Sequence, residues 1–166
     1  MTANRALSTY LNDHLAGATA GLMLARRTAR THAGTPAEIP MGEIVEEIAA
    51  DRRTLIDLQR RLGAQRSGVK AGAGWLAQKL ALVKLSPLMT RDPALSRFLE
   101  LEALGLGIAG KVGLWSALAD SLGTNPGGID LQELVRRGER QRSVVELYRR
   151  EDAKVAFASS GRSDAA

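Results

Sequence analysis

The chain contains no cysteine. Disulfide bridges, thiolate metal sites and cysteine nucleophiles are therefore excluded, and the composition fits a reducing compartment. Aromatic residues make up only 4% of the sequence, and no segment alternates apolar and polar residues over strand length, so the pattern of a sheet is missing. The start MTANRALSTY lacks the apolar core of a signal peptide. The weakly polar stretch AGATAGLMLA, residues 16–25, reaches about half of the ~20 residues that a membrane helix needs. These absences predict a soluble, cytoplasmic protein with no membrane partner.

What is present is rich in Ala, Leu, Arg and Glu, residues that lose little rotamer freedom in a helix. Apolar residues recur at helical spacing through four long segments. The first, 4–30, lines up Leu7, Leu11, His14, Leu15, Ala18, Leu22 and Ala25. Gly34, Pro36 and Pro40 then break the chain, and a second helix over 41–62 ends at Gly63. A shorter pattern, WLAQKLALVKL at 75–85, sits in a long connection. A helix over 94–122 follows Asp92 as N-cap with Pro93 at its first position. The last, 130–158, starts at Asp130 and carries Leu131, Leu134, Val135, Gly138, Val145, Tyr148 and Val155 on one side. One domain is expected over 1–158, with 159–166 a disordered tail.

The stretch GLGIAGKV, residues 105–112, matches both the dinucleotide pattern G-x-G-x-x-G and the phosphate-loop pattern G-x-x-x-x-G-K. Both need a strand before the glycines, whereas LSRFLELEAL has helical spacing, and Val112 replaces the magnesium-binding Ser or Thr. Nucleotide binding is rejected and no cofactor is expected. The glycines instead predict close helix packing, with Gly110 and Gly113 on one helix and Gly17 and Gly21 on another. Leu101, Leu104, Ile108, Val112 and Trp115 form one apolar stripe and Leu95, Leu99, Leu106 and Ala109 a second, which marks this helix as the most buried.

The stretches YLNDHLAGATAGL, EEIAADRRTL and LELEALGLGIAGKVGLW resemble small uncharacterised bacterial proteins of the ferritin-like superfamily. Two long helical hairpins joined by a long connection have the element order of that all-α fold, a four-helix bundle with a crossover. The resemblance implies a di-iron site built from carboxylates and two Glu-x-x-His motifs. No Glu-x-x-His occurs: Glu47 is followed three residues on by Ala50, Glu139 by Arg142 and Glu146 by Arg149. No metal or catalytic site is therefore predicted, and His14, Glu47, Asp51 and Glu102 are the only candidates for a reduced one. The favoured reading is a buried polar network of His14, Asp51, Glu102, Gln141 and Arg142, with Arg142 neutralising the acids in place of a metal.

His32 reads as an exposed loop residue, and Trp75 and Trp115 as core or interface anchors. The net charge is +5, from 23 basic and 18 acidic residues. Basic clusters at Arg26, Arg27 and Arg30, at Arg52, Arg53, Arg60 and Arg61, at Arg66 with Lys70, and at Arg136, Arg137, Arg140 and Arg142 mostly have acids nearby. Solvated helix faces are preferred to a nucleic-acid or polyanion surface. The expected function is non-enzymatic, through protein contacts and as a homodimer. Nucleic-acid or anion binding is the first alternative, and a metal-dependent oxidoreductase the second.

Overall fold

The computed structural model describes residues 4–64 and 92–158. The short helix expected at 75–85 and the tail 159–166 lie outside these residues. Four long helices are present, and no strand occurs among the described residues. Helix α1 spans Arg5–Thr31, α2 Glu38–Arg61, α3 Pro93–Leu122 and α4 Leu131–Ala158.

The helix starts follow from local chemistry. Asn4 Oδ1 accepts from Leu7 N at 2.8 Å. Asp92 Oδ1 accepts from Ala94 N at 2.9 Å and Leu95 N at 3.2 Å, with Pro93 inside the first turn where no donor is lost. Asp130 Oδ1 accepts from Glu133 N at 2.9 Å. Pro40 does not interrupt α2 as expected: the helix already begins at Glu38, so Pro40 occupies its first turn, where the N–H would be unpaired. Gly63 and Gly123 adopt φ of 61° and 82°, a conformation that ends a helix cheaply only with glycine.

The α1–α2 and α3–α4 hairpins pack through α1 against α3, while α2 approaches α4 only thinly. At one end Leu11, Leu55, Leu58, Leu62, Trp115, Leu118, Leu131 and Leu134 form a core, joining the starts of α1 and α4 to the ends of α2 and α3. A second core contains Leu24, Met41, Ile44, Ile48, Leu101, Leu104, Ile108 and Val145. Ala94, Phe98 and Ala156 close the far end. Consequently α2 and α3 run in the same direction. Ala64, packed on the first core, and Ala94, in the last, lie at opposite ends of the bundle.

The glycine expectation is corrected. A Cβ placed on Gly21, Gly107, Gly110 or Gly113 meets nothing within 4 Å among the described residues, so these glycines do not mediate close packing between the described helices. The close approach is at Gly138, where a Cβ would stand 2.6 Å from Val112 Cγ2. Leu106 is 73% exposed and Val155 50% exposed, so both leave the stripes assigned to them. Because α3 is apolar on every side, its periodicity could not tell the buried face from the open one.

Candidate functional site

The polar centre of the bundle lies in the thin seam between α2 and α4, with α3 behind it. Asp51 and Gln141 are each 2% exposed. Lys111 Nζ donates to Asp51 Oδ2 at 2.5 Å and also to Gln141 Oε1. Gln141 Nε2 in turn donates to Glu47 Oε2 at 2.7 Å. Arg137 Nη2 stands 2.7 Å from Asp51 Oδ1. That contact is a charge pair without an aligned hydrogen bond, since Asp51 Oδ1 and Arg137 Nε have no hydrogen-bond partner among the described residues. Burial pushes the Lys111 ammonium below its ordinary range, and Asp51 opposes the shift through its charge and its hydrogen bond. Two cations and two carboxylates thus meet on three helices, and each buried charge has an opposite one in reach.

Two of the five predicted network residues are here, with different cations. Asp51, Gln141 and the metal candidate Glu47 converge. Glu102 and Arg142 do not: their side chains are 48% and 55% exposed, Glu102 lying 4.0 Å from Arg149 and Arg142 pairing with Glu139 at 3.1 Å. Arg142 sits one residue beyond the buried Gln141, which turns it about 100° away on α4. His14 is half-buried with its ring edge-on to Tyr10, centroids 4.5 Å apart, and makes no hydrogen bond to the Asp51 group among the described residues. Burial lowers its pKa, with Asp13 opposing. The four metal candidates therefore do not share one site, and no group of three metal-ligating side chains gathers among the described residues.

Lys111 is the lysine of the GLGIAGKV stretch. It lies mid-helix in α3, turned inward toward Asp51. The reading that rejected a phosphate loop missed what the lysine does instead, although its place between Ile108 and Trp115 on the inward stripe marked it.

Two further buried groups escaped the sequence reading. Glu100, 0% exposed, accepts from Arg27 Nε at 2.7 Å and Thr31 Oγ1 at 2.8 Å, tying α3 to α1. His32 is buried rather than exposed. As the C-terminal cap of α1 it places Nδ1 2.7 Å from Thr28 O and Nε2 2.8 Å from Asp152 Oδ2 on α4. Arg97 Nε lies 3.8 Å from the same carboxylate oxygen.

The outer surface of α3 is the other notable feature. Pro93–Leu122 is long and apolar enough to cross a membrane by length and composition, with mean hydropathy 1.2 over a window only 33% buried. Lys111 alone divides the otherwise uncharged stretch between Glu102 and Asp120, and its side chain turns inward to Asp51. Between the exposed Glu102 and Asp120 the outward face holds Leu106, Gly110, Gly113 and Ala117 and no charge. No family model matches the chain, and neither a curated protein nor a solved structure matches it.

Proposed function

We propose that this chain is a ferritin-like helical bundle without a catalytic centre, working through protein contacts on the outward face of α3. The single observation that carries the reading is that face: Leu106 stands 73% exposed among glycines and Ala117, with no charge between Glu102 and Asp120. An apolar surface of this kind on a folded chain marks a contact site. The ferritin-like part rests on the hairpin order and on α2 and α3 running the same way. The polar centre supports a structural role, because Lys111 and Arg137 already balance Glu47 and Asp51. The test is a photo-crosslinking residue at position 106 in producing cells, with Arg140 on the outer side of α4 as control. A discrete adduct at 106 that is absent at 140 is expected, and equal labelling at the two positions would sink the reading.

A second reading, polyanion binding, is favoured by Arg26, Arg30 and Arg53, which are exposed and carry no ion pair among the described residues. It predicts nucleic-acid affinity that falls steeply between about 50 and 200 mM salt as counterions are released. Neutralising these three arginines should abolish it. No binding at the lower salt ends this reading.

A further inference from the structure

The outward face of α3 is complementary to itself, and we infer that its occupant is a second copy of this chain, packed antiparallel with the two-fold axis beside Gly110. The inference rests on the contact reading above and adds the partner and the register.

Glycine is a poor helix former, so a helix holding Gly107, Gly110 and Gly113 calls for a neighbour that approaches closely. Among the described residues none of the three has one, for a Cβ at each meets no described atom within 4 Å. Leu106 projects from the same face one turn before Gly110 and two turns before Gly113. An antiparallel pairing centred on Gly110 sets position 106 of one copy level with position 114 of the other. Each Leu106 then falls over the hollow left by Gly110, Gly113 and Ala117 of the second copy. Every knob has a hole, and the same patch serves both sides, as an isologous interface requires.

The charges flanking the face agree with this register. Gly105 faces Val145 and Gly138 faces Val112, which fixes the level of α4 beside α3. Arg142 and Glu139, 55% and 46% exposed, flank the face close to the level of Gly110, on either side of it. Antiparallel pairing brings Arg142 of each copy level with Glu139 of the other. Asp120 is exposed and has no ion pair among the described residues. It comes level with Arg149 of the second copy, which sits beside Glu102 at the other end of the face. Opposite charges therefore meet at four rim positions around an uncharged centre, the usual anatomy of a specific interface.

The absence of native cysteine makes a single introduced thiol a clean reporter. Gly110→Cys places the two thiols at the axis, where the ~3.8 Å Cβ separation of a disulfide can be met. It should yield a covalent dimer under mild oxidation, while Arg140→Cys should not. By sedimentation the native chain should be a dimer at tens of micromolar, and Leu106→Glu a monomer with unchanged helical circular dichroism. Glu139→Arg sets arginine against Arg142 of the other copy and should weaken the dimer about tenfold, and Glu139→Arg with Arg142→Glu should restore it. The inference is overturned by a monomeric native chain whose Gly110→Cys variant crosslinks no better than the control. A dimer that survives Leu106→Glu overturns it too, as does flotation on anionic phospholipid vesicles that Leu106→Glu abolishes without any dimer. The adduct trapped at position 106 separates the two readings. A mass other than two chains leaves protein contact standing and ends self-pairing, whereas no adduct ends both.

Discussion

Asp51→Asn removes the one carboxylate that Lys111 and Arg137 share, while keeping the side chain's size. In the native chain Asp51 is 2% exposed and faces Lys111 at 2.5 Å and Arg137 at 2.7 Å. Breaking a buried pair by removing one partner costs about 3–5 kcal/mol. The Lys111 share has a ceiling, because the buried amine can give up its proton. From its ordinary value of 10.5, remaining neutral at pH 7 costs about 5 kcal/mol, at about 1.4 kcal/mol per tenfold change in proton binding. The sign of the pH dependence follows. The unfolded lysine holds its proton up to 10.5, whereas the folded variant releases it earlier, so the unfolded state binds more protons and stability rises with pH below that value. The native chain has the same direction with a shallower slope, since Asp51 holds the proton on Lys111. Urea denaturation of both proteins at pH 7 and about pH 9.5 should show a loss of about 3–5 kcal/mol that shrinks at the higher pH. A loss below about 1 kcal/mol, or one equal at both pH values, would refute the assignment of Lys111 as a buried ammonium dependent on Asp51.

Arg137→Ala should cost about 2–4 kcal/mol and Arg142→Ala no more than about 1 kcal/mol, because only the first faces a buried carboxylate; chemical denaturation compares them directly. Gly138→Ala drives a methyl to 2.6 Å from Val112 Cγ2 and should cost about 1–3 kcal/mol, largely recovered by adding Val112→Ala. Gly110→Ala has open space among the described residues; it should raise the monomer's melting temperature through about 0.5–1 kcal/mol of helix propensity while weakening self-association. The Glu146 carboxyl is held down to about 2 by hydrogen bonds from Arg149 and Arg150. Its share of stability is complete above its ordinary 4.5 and is lost only as pH falls toward about 2, so carboxyl NMR titration should find it still ionised at about pH 3.5, where a carboxyl at the ordinary value is largely protonated.

Where one residue type settles a local choice, the sequence was legible. Asp92 before Pro93 and Asp130 before a leucine stripe declare helix starts, and both caps are made. Asp51 and Gln141 stood out because each interrupts an apolar stripe on a helix whose other faces are polar. On α3 that contrast disappears. Glu100 and Glu102 differ by two positions, about 200° around the helix, and with leucines on every side no periodicity selects the buried one. His32 could not be placed for another reason. It follows the last turn of α1, where helical spacing ends, and it is buried by Asp152, a partner 120 residues further along the chain. Long-range partners also explain the wrong cation: Arg137 and Arg142 both lie on α4, only the turn of that helix toward Asp51 decides between them, and Lys111 is brought in from α3.

The polar seam between α2 and α4 also acts as a vernier. Glu47 meets Gln141 while Asp51 meets Arg137, four residues on in one helix and four back in the other. A slip of one turn, about 5.4 Å, would be tolerated by a purely apolar seam, since one leucine replaces another. Here a slip one way drives Arg137 onto Leu55, which is 1% exposed, and a slip the other way sets Asp51 against Glu133. The first wrong alignment buries a guanidinium without its opposite, at a cost of several kcal/mol, and the second brings Glu47 to Arg137 only by setting the carboxylates of Asp51 and Glu133 together. The few polar residues of this seam therefore contribute less to how strongly the hairpins adhere than to the uniqueness of the alignment in which they do.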